Sequence, residues 1–186
     1  MIVQLNVLML RTRGIELSLL KSCSEVLYEI FEDVYVEMVE DLVDIPDHLY
    51  DLRRRQYYAE GIVYLASVFS KPGCYVVLLT SVDAYVPNLN FVFGLAIPAV
   101  RSAAVFTYRL QMQTDPNNYV QRVRKEVVHE LGHLMGLNHC LTPGCVMKFS
   151  NSVFEVDKKK HLFCSKCMRK LMNRGYRLKT STDIDK

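Results

Sequence analysis

The 186-residue sequence has no apolar run that approaches the roughly 20 residues needed to cross a bilayer, and it has no low-complexity tract. Its N-terminus is apolar but lacks a basic leader and a small-residue cleavage site, so we expect no signal peptide. It also lacks a linker long enough to separate two independent domains. These absences argue against membrane, disordered and multidomain proteins, and they predict a soluble, cytoplasmic protein that acts as a monomer.

Half of the residues are apolar, which is enough to bury a sizeable core, and 23% are charged. The net charge of +3 is modest, but basic residues crowd into the C-terminal part of the chain. We interpret this basic stretch as a solvated face. The alternative is a docking surface for nucleic acid, although the stretch has few aromatic side chains that could stack on bases.

Alternating strand and helix patterns predict an α/β fold. The predicted strands cover residues 3–10, 34–39, 75–80, 91–100 and 103–110. The predicted helices cover residues 17–31, 49–69, 120–134 and 162–172. Beyond Gly136 the regular pattern fails, so we divide one domain, 1–186, into an N-terminal sub-domain, 1–136, and a C-terminal sub-domain, 137–186.

The stretch HELGHLMGLNHC, residues 129–140, contains three histidines. His129 and His133 are four residues apart, so a helix places both imidazoles on one face, where they can share one metal ion. A catalytic zinc takes three protein ligands and leaves a fourth position for water. Gly136 can adopt a positive φ, end the helix and return the chain so that His139 supplies the third ligand.

Glu130 follows His129 and lies beside the same face without being an obvious ligand. A carboxylate there could take a proton from zinc-bound water and pass it to the leaving amine, which predicts peptide-bond hydrolysis. The alternative is that these are unrelated histidines on an ordinary helix. It is hard to reconcile with a motif that specifies the residue type at five of its eleven positions. Glu126, one turn earlier, is expected to face solvent, with a supporting role behind the metal site as the alternative.

Four of the six cysteines form two pairs, Cys140 with Cys145 and Cys164 with Cys167. In a reducing compartment this spacing favours a closed four-thiolate zinc site, which would stabilise irregular chain and perform no chemistry. Free thiols, or a redox pair at Cys164 and Cys167, are the alternative reading. The other two cysteines lie in apolar stretches and are expected to be small core residues.

The motif H-E-x-x-H-x-x-G-x-x-H, followed by Met147, resembles that of the metzincin metallopeptidases, and its direct continuation into Cys140 resembles the archaemetzincin family. The segments Asn90–Gly94 and Thr107–Leu110 also resemble that family. The motif-bearing likeness covers roughly the C-terminal half of the chain. One departure from some other metzincins is Phe149, which stands two residues after the methionine where a tyrosine often assists.

The resemblance implies an α/β metzincin-like zinc-peptidase domain. We expect a mixed twisted sheet with one antiparallel edge strand, backing helices, an active-site helix and a small zinc-stabilised C-terminal lobe. A peptide or protein substrate would add as a further strand to the edge at residues 91–98.

The resemblance also implies two zinc ions, and Met147 would pack beneath the first of them without being a ligand. A catalytic zinc would be held by His129, His133 and His139, with Glu130 as base. A structural zinc would be held by the four clustered cysteines: Cys140, Cys145, Cys164 and Cys167.

The leading hypothesis is therefore a zinc metallopeptidase with a peptide or protein substrate. A zinc-stabilised nucleic-acid-binding protein and an inactive metal-binding scaffold remain as alternatives. Cleavage specificity, and endopeptidase against aminopeptidase activity, depend on pocket walls that the sequence does not reveal. The sequence also leaves open whether the C-terminal segment restrains activity.

Overall fold

The structure is a computed structural model that describes residues 2–179. Its strands are β1 Leu5–Thr12, β2 Val34–Val43, β3 Tyr50–Asp51, β4 Gln56–Tyr58, β5 Cys74–Thr80, β6 Ala84–Tyr85, β7 Gly94–Ile97 and β8 Ser102–Phe106. Its α-helices are α1 Leu17–Ile30, α2 Ala59–Ser67, α3 Pro116–Leu134, α4 Val153–Lys158 and α5 Ser165–Met172. Short 3-10 turns cover Asp47–Leu49, Pro98–Val100 and Arg109–Gln111.

Five strands form the main sheet in the order β2-β1-β5-β8-β7. The first four of these strands run parallel to one another, and β7 pairs antiparallel with β8 at one edge. This arrangement confirms the predicted α/β class and the mixed sheet with one antiparallel edge strand. The edge strand is shorter than the predicted range 91–100, since it begins only at Gly94 and a 3-10 turn at Pro98 ends it.

Alternate residues of the central strands pack on opposite faces of the sheet, as the two-residue period of a strand requires. Val77 and Leu79 of β5 belong to the core that contains α1 and α3, whereas Val76 and Leu78 belong to the core that contains α2. Both faces are covered, which explains why β5 is a continuous apolar run.

Helix α3 carries the histidine motif, and its start follows from local sequence. The side chain of Asp115 accepts hydrogen bonds from the backbone N–H groups of Asn117 and Asn118, at 2.9 and 3.1 Å, and Pro116 occupies the first turn. Val123 and Val127, one turn apart, are fully buried against the sheet. The predicted helix is thus confirmed, and its apolar stripe fixes which face carries the histidines.

The prediction of one long helix over residues 49–69 was wrong in its first half. The Asp51 carboxylate accepts hydrogen bonds from the backbone N–H groups of Arg53 and Arg54, at 2.8 and 3.1 Å, and this turn competes with helix formation. Aromatic residues, which favour strands, then pair across a hairpin, and the helix begins only at Ala59. The hairpin joins β6 in a second, three-stranded sheet of order β3-β4-β6.

The C-terminal part packs onto the N-terminal part through one shared apolar cluster, which contains Leu5 and Leu27 together with Phe163, Leu171 and Leu178. Helix α5 lies within the predicted range 162–172, whereas α4 was not predicted. Within residues 2–179, no helix is both long enough and apolar enough to cross a membrane.

Candidate metal centre and catalytic cleft

Helix α3 ends at Leu134. Two residues later, Gly136 adopts a φ of +87°, in the left-handed region. The backbone N–H of Leu137 donates to the carbonyl of Gly132 at 2.9 Å, which closes the helix end. The chain therefore turns back toward α3, and His139 comes to lie against His129, with ring centroids 5.3 Å apart. Gly136 therefore ends the helix and returns the chain toward the histidines, as the spacing predicted.

The orientations of two imidazoles are set by backbone carbonyls. Nδ1 of His129 donates to the carbonyl of Val146 and Nδ1 of His133 donates to the carbonyl of Leu137, each at 2.8 Å. Since a carbonyl can only accept, both Nδ1 atoms carry the proton and both Nε2 atoms carry a lone pair. The two Nε2 atoms face each other at 3.1 Å.

Two lone pairs at 3.1 Å repel unless a cation lies between them, so this geometry tests whether the site fits a metal. One ring nitrogen from each of His129, His133 and His139 lies within 4.8 Å of the others. Burial holds the pKa of His129 well below its ordinary value, and burial also lowers the pKa values of His133 and His139. Three neutral, convergent imidazoles are a donor set that suits zinc.

Glu130 lies in the floor of the same cleft and is 4% exposed. Its carboxylate makes no hydrogen bond or ion pair with any residue in the range 2–179. It packs against Gly94 of β7, where a built Cβ would lie 2.6 Å from Glu130 Cγ and 2.7 Å from Cδ. Glu130 therefore sits between the catalytic helix and the edge strand, with room for its carboxylate only because residue 94 has no side chain.

Burial raises the pKa of Glu130 well above its ordinary value, and the nearby negative charge of Glu126 acts in the same direction. The positive charge of Lys159 opposes both effects. A carboxylate that is buried, unpaired within residues 2–179 and raised in pKa has the properties of a general base.

The expectation that Glu126 faces solvent was wrong. Glu126 is 3% exposed and forms a 2.8 Å ion pair with Lys159, whose side chain is 1% exposed. Lys159 belongs to the basic stretch that we interpreted as a solvated face, so this residue is a second correction. No local pattern signals the pair, because its members are 33 residues apart.

Met147 is fully buried beneath helix α3. A Cβ built on Gly132 would clash with Met147 Sδ and would lie 3.1 Å from Cε, so the helix approaches the methionine closely at a glycine. The carbonyl of Met147 accepts a hydrogen bond from the backbone N–H of Cys140 at 2.9 Å. The turn that contains Met147 thus supports the segment that carries His139.

The four clustered cysteines come together as predicted, and their Sγ atoms all lie within 4.8 Å of one another. The Sγ atoms of Cys140 and Cys164 are 3.7 Å apart, and those of Cys145 and Cys167 are 3.8 Å apart. A tetrahedral site with Zn–S bonds of about 2.3 Å would separate its sulfurs by roughly 3.8 Å. This donor set therefore also fits zinc.

None of the six cysteines, all within residues 2–179, forms a disulfide, and the sulfur separations in the cluster are far longer than a disulfide bond. Burial opposes ionisation of Cys164, but hydrogen bonds from the Cys167 backbone and from Thr142 outweigh it and lower the pKa of Cys164 to about 6. Burial raises the pKa of Cys145. Of the two cysteines outside the cluster, Cys23 is fully buried as expected and Cys74 is half-buried.

A cleft of about 630 Å³ lies over the histidines. One wall is formed by residues 86–98 without Pro87 and Ile97, which include most of the edge strand β7, and the other by residues 136–139 and 149–151. Phe149 packs on His139 with ring centroids 5.0 Å apart. The predicted edge segment and the predicted metal ligands therefore face each other across one cavity.

Comparison with known proteins agrees with this geometry. Residues 35–173 match the sequence profile of peptidase family M54. The chain is 45% identical over 130 residues to an archaemetzincin of Pyrobaculum aerophilum, and the alignment covers 69% of this chain and 79% of that protein. It is 40% identical over 149 residues to an archaemetzincin of Nanoarchaeum equitans, covering 80% and 82% of the two chains.

Solved structures show the same fold. The archaemetzincin of Methanopyrus kandleri superposes with a TM-score of 0.83 at 36% identity, over 91% of this chain and 94% of that one. A zinc-dependent peptidase of Methanocorpusculum labreanum superposes with a TM-score of 0.77 at 29% identity, over 89% and 99%. The fold and these relatives define the class: the chain is a zinc metallopeptidase of the metzincin type. Within that class it belongs to peptidase family M54, the archaemetzincins.

Proposed function

We propose that this chain hydrolyses peptide bonds with Glu130 as general base, at a zinc ion held by His129, His133 and His139. The observation that carries the proposal is the buried carboxylate of Glu130, which pairs with no residue in the range 2–179 and lies beside three neutral imidazoles whose nitrogens converge. Glu126, the other carboxylate in the cleft, is neutralised by Lys159 and is therefore not a free base.

When bound there, zinc lowers the pKa of a coordinated water toward about 7 and polarises the scissile carbonyl. Glu130 accepts the proton from the attacking water as the carbon–oxygen bond forms. It then donates that proton to the amine nitrogen as the carbon–nitrogen bond breaks. The carbonyls of Val146 and Leu137 keep His129 and His133 in the tautomer that leaves Nε2 free.

We propose that the substrate binds with an extended backbone that pairs with β7. This strand uses one edge to pair with β8, and most of it, Gly94, Leu95 and Ala96, lines the cleft. Main-chain hydrogen bonds to such an edge bind many sequences, and the walls of the cleft select among side chains. Methylation of every second backbone nitrogen of a peptide gives two alternating patterns. One of these patterns should weaken binding more than the other.

A second, structural zinc held by Cys140, Cys145, Cys164 and Cys167 completes the proposal. The carbonyl of Val146, which orients His129, belongs to the residue directly after Cys145. A metal at the cysteines would hold that carbonyl in place and would fix the segment that starts at His139. The apolar cluster shared by both ends of the chain supports one domain, 1–186, with 137–186 as a dependent sub-domain.

The decisive experiment is Glu130→Ala, assayed by digestion of a peptide library and by zinc analysis. Peptide cleavage should be lost while the zinc content stays unchanged, because Glu130 is not a ligand. The matched control is Glu25→Ala, which removes an exposed carboxylate from α1 and should leave cleavage intact. Unaltered turnover in Glu130→Ala would contradict the assigned role.

Metal analysis tests the ligand sets separately. The wild type should hold two zinc ions per chain, and His133→Ala should hold one and lose cleavage. Two ions retained by His133→Ala would contradict the histidine site.

A further inference from the structure

The β3–β4 hairpin presents an exposed apolar and basic tip next to the catalytic cleft. Leu52 is 82% exposed, and Arg53 and Arg55, which follow it in the same turn, are exposed cations. Neither arginine has a carboxylate within 4.0 Å in the range 2–179. These two guanidinium groups and the exposed leucine on one tight turn form a surface that we call the hairpin tip: residues Leu52, Arg53 and Arg55.

The hairpin tip is held rigidly. The Asp51 carboxylate accepts hydrogen bonds from two backbone N–H groups of the turn through Oδ1, and Oδ2 accepts one from the Tyr85 hydroxyl at 3.2 Å. Arg55 adopts a φ of +55°, a left-handed conformation that costs roughly 1 kcal/mol for a residue other than glycine.

The central arginine of the turn anchors the tip to the rim of the cleft. Nη2 of Arg54 donates to the carbonyl of Leu89 at 2.8 Å, and its guanidinium stacks on the Tyr85 ring at 4.1 Å. Nε2 of Gln56 donates to the carbonyl of Asn90 at 2.9 Å. Leu89 and Asn90 both line the cleft, so a chain that leaves the cleft past this rim meets the hairpin tip next.

We propose that the hairpin tip is an exosite for an acidic segment of the substrate, outside the residues that flank the scissile bond. This inference rests on the proposed peptidase function and names the class of substrate that it favours: polypeptides with Asp or Glu residues on one flank of the cleavage site. Arg53 and Arg55 pair with the carboxylates, and Leu52 contacts an apolar neighbour. Two free cations are too few to track a nucleic-acid backbone, whereas they suffice for a short acidic stretch.

The test uses peptides that share one cleavable core and carry a flank of Asp and Glu, or of Asn and Gln, on the N-terminal or the C-terminal side. Wild-type enzyme should cleave one acidic-flank peptide with a kcat/KM about fivefold to tenfold above its amide counterpart, mainly through KM. The preference should shrink as salt is raised, because exposed ion pairs are screened. In Arg53→Ser/Arg55→Asn the preference should vanish while the amide-flank peptides are cleaved as before; asparagine tolerates the left-handed conformation at position 55.

The control variant is Arg13→Ser/Lys21→Asn, which removes the same two charges from an exposed surface outside the cleft. It should keep the acidic preference. The proposal is overturned if wild type shows no preference, if the hairpin variant keeps it, or if both variants lose it equally through net charge alone. Tighter binding of a single-stranded oligonucleotide than of the acidic peptide would also overturn it.

Binding is measured separately from cleavage, with the inactive Glu130→Gln variant and fluorescent peptides. Acidic-flank peptides should bind this variant about fivefold to tenfold more tightly than amide-flank peptides. Failure of the proposed peptidase function would appear as no cleavage of any peptide by wild type. Failure of the exosite would appear as equal binding of both flanks, so the two failures are distinguishable.

Discussion

Adding one methyl group to the edge strand should misplace the carboxylate that we propose as the general base, without touching a proposed metal ligand. In Gly94→Ala the new Cβ would lie 2.6 Å from Glu130 Cγ and 2.7 Å from Cδ, and closer still to Oε1. Ordinary van der Waals contact begins near 3.4 Å. The carboxylate must therefore move by about 1 Å, because Glu130 is buried and β7 is held by its pairing with β8.

A displacement of about 1 Å at a catalytic group can lower the rate by roughly 100-fold. We expect Gly94→Ala to lose about that factor in kcat/KM, mainly in kcat. Zinc content should remain that of wild type, since the three atoms nearest the added Cβ all belong to Glu130 and none to a histidine. The thermal midpoint should fall by only a few degrees, because the overpacking is confined to one site and costs about 1–2 kcal/mol.

The matched control is Gly61→Ala on helix α2. Its added Cβ also meets a side chain, that of Leu49, with Leu49 Cδ1 and Cγ at 3.4 Å and Cδ2 closer. It makes the same chemical change outside the cleft and should keep wild-type activity. Gly94→Ala activity within threefold of wild type, or a parallel loss in Gly61→Ala, would refute the reasoning that Glu130 is the group displaced.

Three further changes test other parts of the structure. Cys145→Ser should lower the zinc content from two ions to one and destabilise the fold by several kcal/mol, as metal analysis and calorimetry would show; two retained ions would contradict the cysteine site. Asp157→Asn should cost about 2–3 kcal/mol at neutral pH, because Asp157 binds the buried Arg122 guanidinium at 2.7 Å. The hydrogen bonds and charge of Arg122 lower the pKa of Asp157, so this stabilisation is complete above pH ~4, the unfolded value, and disappears as the pH falls through the lower folded value. Denaturant unfolding of both proteins at neutral and acid pH should therefore show curves that converge in acid; a constant difference would exclude the ion pair as its cause. Gly136→Ala should cost about 1–2 kcal/mol and weaken zinc binding, because residue 136 has a φ of +87° and delivers His139; unchanged zinc affinity in a competition titration would argue against that delivery.

The catalytic motif could be predicted because its geometry is local. The four-residue spacing of His129 and His133 becomes one helical face, and Gly136 becomes a left-handed helix end, through forces that act within a few residues. The approach of the two cysteine pairs could also be anticipated, since few arrangements other than a closed metal site bring two such pairs together.

Local patterns were misleading where a side chain competed with the backbone. The stretch after Pro46 has a helical apolar period, yet Asp51 caps a turn there and Tyr57 pairs with Tyr50 across a hairpin. The hairpin tip follows from this difference, so a surface that we assign to substrate binding was invisible to periodicity.

By itself the sequence determined the α/β class, the helix that carries the histidines, the candidate base and the two candidate sets of metal-binding side chains. Only the tertiary structure decided what surrounds them: Gly94 against Glu130, the carbonyl of Val146 on His129, and Lys159 paired with Glu126. The physical reason is the separation along the sequence over which each kind of contact forms. A pattern of nearby residues records the helix or strand that those residues form, whereas a contact between residues 17 to 36 positions apart depends on how whole elements pack.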